Sequence, residues 1–138
     1  MKLTKVLAVV CCLAIGALSF TSCETTVVTH AYGLGIHKFG SSASGNMMYD
    51  LAAVTAYLNE KGCPTDGQEA IVTIVDTSDK NCDKKAAEIF KGIVKDLSYE
   101  EVAALGLSAD CTFSYSMQRS QGPGTDPITV AEWNYPQE

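Results

Sequence analysis

Apolar and polar positions repeat with two different periods along the chain, and these periods predict strands and helices in turn. Residues 25–39 are rich in β-branched and aromatic side chains, which favours a first strand or a tight hairpin. The short apolar run at 70–75 predicts a strand buried on both faces. Positions 111–118 alternate between apolar and polar, as in a half-buried strand, and residues 128–135 predict a last strand.

Three other segments have helical features. The first follows a polar loop at 40–46, has apolar residues at helical spacing and has Ser44 as its expected N-cap. The second starts near Asn81, and Ser98 with Glu101 has the spacing of a capping box that opens a third, short helix. The apolar residues expected in the core are Leu51, Val54, Leu58, Val72, Ile74, Phe90, Ile93, Val94 and Phe113.

The order of these segments predicts one small domain of the α+β or α/β class. We expect a two-layer sandwich in the order β-α-β-α-β-β, with a mixed sheet of about four strands and two main helices on one face. Trp133 and Tyr135 share one face of the last strand, where stacking with Phe113 and Tyr115 would place them in the core. The alternative is an exposed aromatic surface for a glycan or a protein.

The N-terminus has the features of an export signal. Lys2 and Lys5 precede an apolar run over residues 6–18, which is shorter than the roughly 20 residues needed to cross a bilayer. The sequence LSFTSC at 18–23 resembles the lipobox of bacterial lipoproteins, in which small residues precede a cysteine. The resemblance implies that Cys23 receives a diacylglycerol before cleavage. Ordinary secretion, with cleavage after Ser19, is the alternative.

The lipobox resemblance also implies a domain plan and a location. Residues 1–22 are the signal peptide, residues 23–26 are the lipidated anchor with a short tether, and residues 27–138 are a single envelope domain. The N-terminal lipid would attach this domain to a membrane of the bacterial cell envelope. Glu24, which stands where an Asp commonly retains lipoproteins in the inner membrane, favours the outer membrane.

Charge limits the partners of the mature chain. Removing Lys2 and Lys5 from the 10 basic residues leaves 8 basic against 16 acidic residues, a formal charge of −8. Nucleic acid and anionic headgroups require a basic surface, so the composition argues against both. A basic envelope protein is the class of partner that this charge favours.

The cysteines predict one disulfide. Two of the six lie in the signal peptide and Cys23 is assigned to lipid, which leaves Cys63, Cys82 and Cys111. On a β-α-β path Cys63 and Cys111 precede strands at one end of the sheet, and Cys82 lies about 26 Å away at the other end. We therefore expect a Cys63–Cys111 disulfide, with three reduced thiols as the alternative. Cys82 would be the free thiol, and a helix N-terminus beside it would favour its reactive thiolate.

No motif in the sequence identifies a catalytic or metal site. His30 and His37 are the only histidines, and on a continuous strand they point to opposite faces. Asp76, Asp79 and Asp83 have the positions of caps and turns and lack the pattern of a calcium loop. We accordingly assign no catalytic residue, no metal ligand and no cofactor.

Two functions remain open from the sequence. The first is a non-catalytic lipoprotein that binds, scaffolds or inhibits a protein at the cell envelope. The second is a small envelope enzyme that uses His30 or His37 with a serine or Cys82. A concave pocket that contains a histidine and a nucleophile would favour the enzyme.

Overall fold

The structure, a computed structural model, describes residues 26–41 and 46–137 and confirms the predicted α+β domain. The predicted signal peptide and Cys23 lie outside these residues. Four strands form one sheet, and two long helices and one short helix accompany it. The elements are β1 Val28–Gly40, α1 Met47–Glu60, β2 Ile71–Asp76, α2 Asp79–Val94, α3 Tyr99–Ala103, β3 Thr112–Arg119 and β4 Ile128–Tyr135.

The sheet has the strand order β2-β1-β3-β4 and is antiparallel throughout, whereas the sequence predicted a mixed sheet. The length of α1 explains the difference. Its 14 residues rise about 21 Å, which is close to the length of residues 34–40 in β1. The helix carries the chain back along residues 34–40 of β1. Strand β2 then starts at Ile71, opposite Gly33, and continues in the direction of the helix, antiparallel to β1.

One hydrophobic core lies between the helices and the inner face of the sheet. The core contains residues from α1, from α2 and from each of the strands β1, β2 and β3. Trp133 and Tyr135 of β4 pack against it. Of the expected core residues, Val54, Leu58, Val72, Ile74, Phe90 and Phe113 are buried, while Ile93 and Val94 are half-buried against the core. The prediction for Leu51 was wrong, because it lies near the start of α1 and is 38% exposed. In the described part of the chain, no helix has both the length and the apolar character needed to cross a bilayer.

Polar side chains fix the starts of the helices. The Ser78 hydroxyl caps α2 by accepting a hydrogen bond from the Asn81 amide, and the Ser98 hydroxyl caps α3 by accepting one from the Glu101 amide, as predicted. The reciprocal half of the predicted capping box was wrong, because the Ser98 amide donates to the Tyr57 hydroxyl and the Glu101 carboxylate accepts from Tyr57 and Lys61. The expected Ser44 cap of α1 lies outside the described residues. Asp50, in the first turn of α1, is instead hydrogen-bonded to the Ser41 hydroxyl and to the Ser108 amide. Because Ser41 follows β1 directly, this carboxylate holds the start of α1 at the end of β1.

The aromatic residues of β4 stack on the inner face, as predicted. The ring of Phe113 lies 5.9 Å from Trp133 and 5.6 Å from Tyr135 between centroids. Tyr99 of α3 covers Trp133 at 4.5 Å. Tyr115 differs from the prediction because it stacks on Phe90 of α2 instead.

The three cysteines of the domain are free, buried thiols, so the structure lacks the expected Cys63–Cys111 disulfide. The Cys63 thiol donates a hydrogen bond to the Ile93 carbonyl at 3.3 Å. Cys111 directly precedes β3, and its backbone amide donates a hydrogen bond to the Ser108 carbonyl. Cys63 belongs to the hydrophobic core cluster, whereas Cys111 is buried outside that cluster.

Candidate functional site

A β-bulge brings one histidine and one serine together on the outer face of the sheet, the face away from the helices. The pairing of β1 with β3 shifts between Ile36 and Lys38, so that His37 lies in the bulge. Its Nδ1 is 2.6 Å from the Ser116 hydroxyl oxygen. His30 lies elsewhere, beside α2, so the two histidines do not form a pair, as the sequence predicted. The partnership of His37 with Ser116 was missed, because a bulge has no clear sequence signal.

The His37–Ser116 pair has some of the properties of a nucleophile and its base. Partial burial of the ring lowers the pKa of His37, so the imidazole is neutral near pH 7 and able to accept a proton. Ser116, however, is only 2% exposed. Among the described residues no carboxylate hydrogen-bonds to His37 to orient it. The backbone amides of β3 are directed at β1 and β4, with which this strand is paired. They are therefore not free to bind an oxyanion beside Ser116.

A second polar group joins β1, β3 and the start of α2 on the inner face. Asp83 accepts two hydrogen bonds from the Arg119 guanidinium, at 2.8 and 3.1 Å, and one from the Tyr32 hydroxyl at 2.6 Å. His30 contacts Asp79 at 2.6 Å beside them. Burial tends to raise the pKa of Asp83, but the hydrogen bonds from Arg119 and Tyr32 outweigh it and hold that pKa below its usual value. We refer to Asp83, Arg119 and Tyr32 as the Asp83 network.

Three aspartates, one at the end of β2 and two in the first half of α2, have separate structural partners. Asp76 pairs with Lys85 at 2.6 Å, Asp79 contacts His30, and Asp83 belongs to the network just described. No group of three or more potential metal ligands occurs among residues 26–41 and 46–137. Paired, hydrogen-bonded carboxylates of this kind stabilise the packing of a helix on a sheet.

Cys82 differs from the reactive thiol that the sequence predicted. Its side chain is fully buried between α2 and the sheet, with the Val28 and Ile74 carbonyls at 3.8 and 3.9 Å. Burial raises the pKa of this thiol, and the nearby carboxylate of Asp76 raises it further. These effects outweigh the helix N-terminus, so the protonated form is favoured.

A surface cavity of about 440 Å³ lies beside the loop between α1 and β2. Its lining residues are Asn59, Gly62, Pro64, Thr65, Asp66 and Glu69. Neither histidine lines it, and neither does Ser116 or any of the cysteines. This cavity therefore lacks the combination of histidine and nucleophile that would favour an enzyme.

The first turn of α1 exposes a group of large apolar side chains, which we name the apolar patch. Its members and their exposed fractions are Met47 (44%), Met48 (83%), Tyr49 (80%) and Leu51 (38%). The sequence contains a signal for it that our prediction did not use. Successive helical residues differ by about 100° in direction, so three consecutive apolar residues at 47–49 cannot all face one core.

The function of this chain has to be argued from its own residues. Comparisons with protein families, with curated proteins and with solved structures find no match to the chain. The paired ionisable groups and the exposed apolar patch are therefore the observations on which a functional proposal rests.

Proposed function

We propose that this chain is a lipid-anchored protein of the bacterial cell envelope whose domain binds another protein without catalysing a reaction. The apolar patch is the observation that carries the proposal. Met48 and Tyr49 are each at least 80% exposed and adjacent, and small monomeric domains rarely leave such side chains together in water. Methionine and tyrosine are also enriched at the centres of protein interfaces.

The position of the patch fits a role in binding at a distance from the membrane. The proposed tether enters β1 at Val28, and the patch follows the other end of β1 at Gly40. The 13 residues of this strand span about 40 Å. The anchored end and the apolar patch therefore lie at opposite ends of the sheet, and Asp50 fixes the patch there through Ser41 and Ser108.

Charge indicates the chemistry of the partner. The chain has 16 acidic and 10 basic residues, and the proposed mature form is more acidic still. An acidic domain with an apolar patch is complementary to a protein that has an apolar pocket with basic side chains around it. Such a partner would associate faster at low ionic strength, because long-range attraction is screened by salt.

The lipid anchor can be tested separately from binding. Cys23→Ser should abolish labelling of the protein with radioactive or clickable acyl chains and should release the domain from the membrane fraction. Cys11→Ser, in the signal peptide, is the matched control and should leave labelling unchanged. Continued labelling of the Cys23→Ser protein would refute the lipoprotein proposal and leave the binding proposal untouched.

Binding through the patch can be tested by site-specific crosslinking in living cells. A photoreactive amino acid at Met48 or Tyr49 should form one discrete crosslinked product, because these side chains would lie in the partner's pocket. The same group at Lys84, which is exposed on α2, is the control and should not form that product. Tyr49→Asp should remove the product obtained at Met48. Equal crosslinking from Lys84 and Met48 would contradict the proposal.

A second function is favoured by one specific distance, the 2.6 Å between Ser116 and His37. In this alternative the Ser116 oxygen attacks an ester or amide carbonyl while His37 accepts the hydroxyl proton. The bond to the alcohol or amine then breaks, and His37 gives that proton to the leaving group. Water finally hydrolyses the acyl-serine, which releases the acid and restores the Ser116 hydroxyl. A fluorophosphonate probe tests it directly. Labelling that disappears in Ser116→Ala and persists in Ser120→Ala would establish the serine hydrolase. Absence of labelling in the folded protein would rule it out.

A further inference from the structure

Two adjacent methionines in the apolar patch are the most exposed sulfur-containing side chains of the described domain. Met48 is 83% exposed and Met47 is 44% exposed. Met117, the other methionine among residues 26–41 and 46–137, is fully buried in the core. A small oxidant in solution therefore reaches the thioethers of the apolar patch, whereas the core excludes it from the thioether on β3.

The thiols of the domain do not compete for such an oxidant. Cys63 and Cys82 are fully buried, and Cys111 is only 3% exposed. Burial also raises the pKa of all three thiols, so the thiolate, which is the form that reacts with a peroxide, is scarce near neutral pH. Within the described part of the chain, the sulfur chemistry that solvent can reach is therefore that of methionine.

Oxidation of a methionine changes its polarity more than its size. A peroxide transfers one oxygen atom to the thioether: its O–O bond breaks, an S–O bond forms, and water or an alcohol leaves. The sulfur loses two electrons and the peroxide gains them. The sulfoxide that results is polar and accepts hydrogen bonds. Moving such a group from water into an apolar pocket without a donor is unfavourable, so oxidised Met48 would fit an apolar pocket poorly.

We propose that Met48 is a site of reversible oxidation that regulates binding through the apolar patch. This regulation rests on the proposed protein-binding function and concerns the same surface. The thioether form of the patch enters the apolar pocket of the partner, and the sulfoxide form does not. A methionine sulfoxide reductase restores binding, because its two thiols become a disulfide while the sulfoxide oxygen leaves as water.

The fold separates this site from the stability of the domain. Asp50 is 3% exposed and is hydrogen-bonded to Ser41 and Ser108, which fixes the first turn of α1 and leaves Met48 in solvent. A sulfoxide at the buried Met117 would place a polar group in the core and destabilise the fold. A sulfoxide at Met48 stays in water, so it changes the surface and leaves the free energy of unfolding unchanged.

The first measurement follows oxidation of the full chain in nanodiscs, without a partner. Hydrogen peroxide is added, catalase stops the reaction, and tandem mass spectrometry of peptides locates the added oxygen. We expect sulfoxide to form first at Met48, next at Met47 and last at Met117, with no change in Tm. In urea the three residues should react at equal rates, which controls for their intrinsic chemistry.

Reversal is measured on the same oxidised protein. The two classes of methionine sulfoxide reductase, one for each epimer, should together remove the oxygen from Met48. Native oxidation of Met117 as fast as that of Met48 would overturn the proposal. So would a sulfoxide at position 48 that both reductases leave in place.

The second measurement determines the effect on binding. A photoreactive amino acid at Tyr49 reports the partner in living cells, and brief treatment with peroxide should reduce the crosslinked product about tenfold or more, since burial of one unpaired sulfoxide should weaken binding about thirtyfold. The control is the double variant Met47→Leu with Met48→Leu, which keeps an apolar patch of similar volume. It should retain the product after the same treatment.

The outcomes separate this proposal from the protein-binding function. Absence of the product in untreated cells would refute that function, while the order and the reversal of oxidation, measured without a partner, would still decide whether Met48 is an oxidation site. Persistence of the product when Met48 is fully oxidised would overturn the regulation and leave protein binding intact. An equal loss of product in the double variant would also overturn it, because the peroxide would then act on the partner.

Discussion

Asp83 connects α2 with two strands, so its charge should matter more to stability than any surface carboxylate. Arg119, its partner, is 9% exposed, and removing the negative charge leaves a largely buried guanidinium uncompensated. We expect Asp83→Asn to lower the free energy of unfolding by about 3 kcal/mol in urea titrations. The control is Glu88→Gln, whose pair with Lys91 is exposed and should be worth less than about 0.5 kcal/mol. Equal effects of the two substitutions would contradict the prediction.

The same carboxylate should make stability depend on pH. The pKa of Asp83 is lowered in the folded protein, so the unfolded chain binds more protons as the solution is acidified. Its contribution is complete above the unfolded pKa of about 4 and is lost as pH falls through the lower folded value. The free energy of unfolding of wild type should therefore fall between about pH 5 and pH 2. Asp83→Asn should show a smaller fall, and an unchanged fall would exclude Asp83 as a source.

The thiols should be unreactive in the folded domain. Burial raises the pKa of Cys63 to about 11 and also raises that of Cys82 and of Cys111. A thiol reagent at pH 8 should modify these residues slowly in native protein and should titrate three thiols in urea. Rapid native labelling of Cys82 would restore the reactive thiol predicted from the sequence. Non-reducing peptide maps that contain a Cys63–Cys111 link would restore the predicted disulfide.

Contacts between individual side chains were harder to predict from the sequence than the helices and strands. The sequence placed His30 and His37 on opposite faces correctly, because that follows from strand alternation alone. It could not predict that a bulge would bring His37 to Ser116, 79 positions away. Nor could it predict that Arg119, unremarked in the sequence, would become the partner of Asp83. Such pairs depend on register and helix placement, which distant segments determine together.

At the scale of elements, α1 separates core residues from exposed ones along a single helix. Leu58 is fully buried, whereas Leu51, seven residues earlier on nearly the same side, is 38% exposed. We expect Leu58→Ala to lower the free energy of unfolding by about 2–5 kcal/mol, as for other buried leucines. Leu51→Ala should lower it by less than about 1 kcal/mol. Urea titrations of both proteins test this, and a larger effect at Leu51 would contradict the exposure of the apolar patch.

Strand and helix boundaries were predictable, while the direction of one strand was not. The segment at 128–135 and the Ser98 cap were correct as predicted, because alternation and capping are local properties. The antiparallel direction of β2 depends on the length of α1 relative to β1, which no local pattern reports. The stagger of β2 against β3 has the same origin, since their first residues lie opposite Gly33 and Gly40 respectively. This stagger is also part of the reason that the disulfide argument was wrong.

For the whole molecule, the sequence predicted a fold class, a membrane anchor and a class of partner. The fold class was correct because six segments with clear periods allow few arrangements of one small domain. The anchor, the acidic charge and the binding function remain predictions, because they concern surroundings that are not part of the domain. Within the described domain, β1 places Val28 and the apolar patch at opposite ends of the sheet.

The proposed anchor and the length of β1 together predict how the domain stands on a membrane. The residues between Cys23 and Val28 reach at most about 18 Å, so the start of β1 stays near the lipid surface. The acidic domain should be repelled by anionic headgroups, and its long axis should therefore point away from them. Met48, at the other end, should lie roughly 40 Å further out.

Fluorescence quenching by lipid-bound quenchers can measure this orientation in nanodiscs. A fluorophore on Val27→Cys should be quenched strongly and one on Met48→Cys weakly, because quenching falls steeply with distance. The buried thiols need no replacement, since they should not react under native labelling conditions. Strong quenching at both positions would mean that the domain lies flat on the bilayer. The apolar patch would then contact lipid, and the proposal of a protein partner at the far end of the domain would be wrong.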